Sequence, residues 1–97
     1  HEHDDFDSFV LEIGEITSPN ALIAKLEKAI AAEGILRVKG FLTVKDKDMR
    51  LVLQGVGSRL QHYFDREWAA DEPRVSKLVI IGEHDMDQAA ITNMILA

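Results

Sequence analysis

The chain contains no cysteine. That absence removes disulfides, thiolate metal sites and cysteine nucleophiles together, and leaves the redox compartment open. Proline is scarce, with 2 in 97 residues, and aromatic residues make up only 6%. With 46% hydrophobic and 29% charged residues, the composition fits neither a disordered chain nor a collagen-like one. Apolar runs such as Leu78 to Ile81 are far too short to cross a bilayer. Basic charge is also lacking: 11 Lys and Arg stand against 17 Asp and Glu, a formal net charge of −6. A surface of that sign argues against nucleic acid and against anionic lipid as partners.

At 97 residues there is room for a single hydrophobic core. The first residue is His1, in a charged stretch without an apolar leader segment, so the chain reads as a piece of a larger protein. Residues 1–5 are all polar and read as a linker remnant, with one domain over 6–97.

Periodicity places the elements. Phe9, Leu11 and Ile13 alternate with Ser8, Val10 and Glu12, which predicts a strand from Phe6 to Ile16. Ser18 is a candidate N-cap with Pro19 at the first helical position, and Gly34 is the expected stop. Between them Leu22, Leu26, Ala29 and Ile30 recur at helical spacing.

Three strands are then expected in succession. In the first, Leu36, Val38, Leu42 and Val44 face inward against Arg37, Lys39, Phe41 and Thr43. Residues 45–48 form a loop; Met49, Leu51 and Leu53 resume the inward pattern, and Gly55 and Gly57 suggest a bulge or tight bend. Leu60, His62 and Phe64 carry the third pattern inward. Leu78 to Ile81, apolar on both faces, reads as a central strand. A closing helix is expected with Asp85 and Gln88 as its capping box and Met86, Ala89, Ala90, Met94 and Ile95 as its apolar stripe. The order β-α-β-β-β-β-α predicts an α+β two-layer sandwich: a mostly antiparallel five-stranded sheet with two helices on one face.

No catalytic constellation emerges. Gly55-Val56-Gly57-Ser58 lacks the third glycine of a dinucleotide fingerprint, because position 60 is Leu, and no P-loop occurs anywhere. No serine elbow or zinc-protease helix motif is present either. The chain is therefore expected to be no enzyme by itself. His1, His3, Asp4 and Asp5 supply ligand types for a divalent metal, but a flexible segment cannot preorganise them. His62 reads as a half-buried strand residue and His84 as part of a loop before the last helix. The stronger signal is a predicted sheet face away from the helices. Arg37, Lys39, Phe41, Gln61 and Tyr63 share it, with Trp68 on the adjoining connection, and arginine with aromatics is the mixture enriched in protein contacts.

Three segments carry a family resemblance: Val38-Lys39-Gly40-Phe41-Leu42, Arg50-Leu51-Val52-Leu53-Gln54-Gly55-Val56-Gly57 and Tyr63-Phe64-Asp65-Arg66-Glu67-Trp68. With the strand Leu78 to Gly82 and a His/Asp-rich lead-in, the chain resembles the C-terminal domain of CobW-type proteins, the cobalamin-associated branch in particular. The resemblance implies a cytoplasmic parent protein, a P-loop GTPase acting as a metallochaperone that delivers cobalt for cobalamin biosynthesis. GTP with magnesium, and cobalt or zinc, would be bound elsewhere in that parent, and no cofactor in this domain. The implied partners are the parent's own N-terminal GTPase domain and a metal-receiving protein such as a cobaltochelatase. Arg37, Lys39, Phe41, Tyr63 and Trp68 are then the expected docking residues. Two alternatives stand beside this: a metal-buffering module built on His1, His3, Asp4 and Asp5, and a stand-alone small-molecule-binding domain, which requires an apolar pocket with a few polar groups.

Overall fold

A computed structural model describes residues 5–97. Its elements are β1 (Phe6–Ile13), α1 (Pro19–Glu33), β2 (Ile35–Leu42), β3 (Met49–Val56), β4 (Arg59–Glu67), β5 (Ser76–Glu83) and α2 (Gln88–Leu96). The five strands form one sheet in the order β1-β5-β2-β3-β4, and every neighbouring pair is antiparallel. β1 and β2 therefore run parallel to each other, with the late strand β5 inserted between them. The two-layer fold and element order expected from periodicity are the ones found.

Helix α1 forms where its signals put it. The Ser18 hydroxyl accepts a hydrogen bond from the Ala21 N–H at 3.2 Å, and Pro19 opens the helix. Gly34 ends it at φ 68°, a left-handed conformation that costs a side-chain-free residue little. Its buried residues are Leu22, Leu26, Ala29 and Ile30. They meet Val38 and Leu42 of β2, Leu78 and Ile80 of β5, and Ile91 and Ile95 of α2 in one core. Fully burying each such leucine or isoleucine contributes about 1.5–3 kcal/mol relative to exposure.

Four local expectations need correction. Leu36 is exposed rather than inward, because the β2–β5 register shifts between Ile35 and Arg37 and Ile35 takes the buried position. Thr43, expected to face out, is buried; its N–H donates to the buried Ser76 hydroxyl at 2.9 Å. Helix α2 is capped by Asp87, whose carboxylate accepts from the Ala90 N–H, and not by Asp85; its buried residues are Ile91 and Ile95. Finally, His62 and Phe64 lie on the helix side of β4 yet stay exposed, since the core cluster includes no fully buried β4 residue. Gly57, at φ 58°, makes the two-residue turn joining β3 to β4 with Ser58.

Candidate docking face

One face of the sheet packs the helices; alternation sends the other set of side chains to the opposite, open face. Antiparallel register lines these up in cross-strand rows. Phe41 of β2 pairs with Val52 of β3, which pairs in turn with Tyr63 of β4. On the other side Phe41 pairs with Lys77 of β5, which pairs with Glu12 of β1. The next row runs Val10, Val79, Lys39, Gln54, Gln61, and the next Ser8, Ile81, Arg37, Val56, Arg59. Each of the five strands thus contributes an exposed apolar side chain to this face: Val10, Val79, Phe41, Val56 and Tyr63. Five strands at about 4.8 Å spacing make a surface roughly 19 Å across.

The connection over residues 68–75 builds one wall. Its residues Trp68 and Val75 join Phe41, Val79 and Ile81 around a concavity of about 650 Å³, whose polar lining includes Arg37, Lys39 and Lys77. Arg37 and Lys39 also line a second depression of about 380 Å³, toward Val56 and Arg59.

A charged clamp fixes the wall. The Arg50 guanidinium lies over the Phe41 ring, 3.8 Å from its centroid, and bonds the Asp65 carboxylate. Arg66 makes two parallel bonds to Glu72, at 2.9 and 3.0 Å, and the Ala69 N–H donates to the same carboxylate. These bonds hold the Glu72 carboxyl down at about 2, chiefly through Arg66. The hydrogen bond from Arg50 likewise lowers Asp65 below the usual carboxylate range. Asp65 is the extra residue of a bulge opposite Arg50 and Leu51, which turns its carboxylate toward Arg50.

Arg37, Lys39, Phe41 and Tyr63 are brought together on the open face, with Phe41 41% and Tyr63 48% exposed. Trp68 differs. It is only 8% exposed, and its indole N–H has no partner among the described residues. It is a buried wall of the concavity, held where its backbone N–H donates to the Asp48 carbonyl, rather than an open contact residue. Val79 and Ile81 were legible as both-face apolar, but their membership of the same patch depends on β5 lying beside β2 and β1. Arg50, Glu72 and Lys77 carry no local motif; only the register brings them to Phe41.

A family model described as the cobalamin synthesis protein cobW C-terminal domain matches residues 6–97. The chain belongs to that family. A zinc chaperone CobW from a Sinorhizobium species is 52% identical over 97 residues, which is all of this chain and 27% of that protein. A zinc chaperone CobW from Pseudomonas aeruginosa is 46% identical over 88 residues, 91% of this chain and 23% of that protein. The chain thus spans about a quarter of the length of the curated relatives it matches. Among solved structures, Zn(II)-bound YjiA GTPase from E. coli matches with a TM-score of 0.76 at 26% identity, over 96% of this chain and 29% of that one.

Of the metal-ligating candidates of this CobW domain, one lies within the described residues. His1, His3 and Asp4 lie outside the described residues, whereas Asp5 is exposed and its carbonyl accepts from the His84 N–H at 3.0 Å. His84 Nδ1 also lies 3.2 Å from the Asp7 carboxylate. The structure thereby brings His84 beside the start of β1, a proximity with no signal in the sequence. Among the described residues, no three side chains of ligating type gather at one point. No helix there is long and apolar enough to cross a membrane.

Proposed function

We propose that this domain is the non-catalytic docking module of a longer, cytoplasmic CobW-type GTPase metallochaperone. Its open sheet face is where the GTPase domain or the metal-receiving protein seats. The observation that carries the reading is the exposed apolar side chain on every strand of that face, set around an aromatic concavity with a basic rim. The patch extends past the concavity to Val10 and Tyr63, on the two outermost strands. A surface of that breadth suits a protein partner, which typically covers about 800 Å² per side, better than a small ligand.

Charge narrows the partner. On a chain of net charge −6, Arg37, Lys39 and Arg59 point from the open face without a carboxylate partner among the described residues. The facing surface is therefore acidic at its rim and apolar at its centre. The two acids of the clamp suit proton transfer poorly: Asp65 and Glu72 are held ionised by Arg50 and Arg66, so neither exchanges a proton near neutral pH. GTP turnover in the neighbouring domain changes this contact only so far as the contact differs between nucleotide states. Zinc is the cargo favoured by the names of both curated relatives, with cobalt delivery the alternative.

The test is binding of the separately produced GTPase domain of the same protein, by calorimetry. Phe41→Ala combined with Tyr63→Ala, in a variant that melts like the parent, is expected to weaken binding by roughly 10- to 100-fold, the scale of interface hot spots. Unchanged binding refutes the docking face.

A further inference from the structure

β4 is an edge strand of the sheet, and the middle of its sequence is complementary to itself. Natural sheets blunt their edges with proline, lysine or charge. Both edge strands carry charge toward their ends, Asp7 and Glu12 on β1 and Arg59, Asp65, Arg66 and Glu67 on β4. β4 presents Leu60-Gln61-His62-Tyr63-Phe64, five residues with neither proline nor a permanent charge, and the helices leave both of its faces largely open. Tyr63 is 48% and Phe64 40% exposed.

The two-residue turn at Gly57-Ser58 makes Val56 and Arg59 a hydrogen-bonded pair. By alternation the main-chain groups of Arg59, Gln61 and Tyr63 then face β3, and those of Leu60, His62 and Phe64 face outward. We propose that β4 pairs antiparallel with β4 of a second copy of this chain, about a two-fold axis at His62, giving one continuous sheet.

That register is chosen by its side chains. It sets Leu60 opposite Phe64 of the other copy on the helix side. On the open face it sets Gln61 opposite Tyr63, and Arg59 opposite Asp65. The last pair joins a cation without a partner among the described residues to a carboxylate already kept ionised by Arg50. The pairing ends where the bulge at Asp65 breaks the ladder, and within those bounds it forms about six main-chain hydrogen bonds. Shifting the axis to Gln61 places Arg59 opposite Tyr63 and loses the charge match; shifting it to Tyr63 sets Leu60 against Arg66. Because the axis is perpendicular to the sheet, both open faces end on the same side, where a partner with two acidic sites engages them together.

Sedimentation of the 97-residue chain over a dilution series tests this, together with hydrogen exchange of the β4 amides. Reversible dimerisation is expected, with Leu60, His62 and Phe64 amides gaining protection as concentration rises. Arg59→Glu, an exposed change that leaves the fold intact, turns two attractive pairs repulsive and weakens the dimer at least roughly tenfold. His62→Pro removes an outward N–H without touching the β3 ladder and abolishes the dimer. A chain that stays monomeric, or a dimer that Arg59→Glu leaves unchanged, overturns the proposal. So does protection of the three amides by added GTPase domain alone, which assigns the edge to that domain.

Discussion

Gly40 offers the sharpest test of the packing behind the docking face. It sits in β2 between Lys39 and Phe41 and pairs with Leu78 of β5. A Cβ built there would run into the Lys77 carbonyl oxygen and come within 2.9 Å of the Leu78 Cα. Both obstacles are main-chain atoms of a strand held from two sides, by β1 and by β2. No side chain can rotate out of the way, so Gly40→Ala must part the two central strands. Overpacking costs typically 1–3 kcal/mol, and the upper end applies where backbone has to move. At about 3 kcal/mol, and 4–8 °C per kcal/mol for a domain of this size, the melting temperature falls by roughly 12–24 °C. Gly14→Ala is the matched control. A Cβ at Gly14 meets nothing within 4 Å, and the residue is exposed. Loss of unfolded-state freedom should stabilise that variant by about 0.4–1 kcal/mol, raising the melting temperature by a few degrees. Thermal denaturation followed by circular dichroism reads both. A Gly40→Ala variant melting within about 4 °C of the parent refutes the close β2–β5 approach on which the face depends.

Two further outcomes probe the buried bond and the charged clamp. Ser76→Ala strands the buried Thr43 N–H, at a cost of about 1–3 kcal/mol, and should accelerate hydrogen exchange at that amide. Glu72→Gln should destabilise the 68–75 wall at neutral pH. Because the folded carboxyl is lowered from 4.5 to about 2, the stabilisation is present above the unfolded value and disappears as pH falls through the folded one. The melting difference between parent and variant should therefore persist above pH 4.5 and close toward pH 2; a difference constant across that window contradicts the clamp.

Much of the fold is legible in local chemistry. Ser18, Pro19 and Gly34 bound α1 because capping uses groups within one turn of each other. Alternation assigns most strand residues to the correct side, and the doubly apolar Leu78 to Ile81 segment does lie between two neighbours. What alternation cannot carry is coverage. His62 and Phe64 share their side with Leu51 and Leu53, yet remain in solvent because the sheet is wider than its two helices. The bulge that turns Leu36 outward is equally silent in sequence, since it arises from registering β2 against a strand made some forty residues later. The same holds for the site. Phe41 and Tyr63 could be placed on one face by period two, but Arg50 over Phe41 and the burial of Trp68 come from the bulge and the returning connection.

The late arrival of β5 at the centre of the sheet also bears on how the domain is made. Until Ser76–Glu83 leave the ribosome, β1 and β2 share no neighbour, and the apolar flanks meant for β5 stay bare. Synthesis from the N-terminus therefore first leaves a meander on one side and a strand and helix on the other, joined along the sheet by the Ile16 bonds to Thr43 and Lys45. One stretch of eight residues zips the two portions together, so truncating the chain ahead of it should cost the whole body rather than a corner of it.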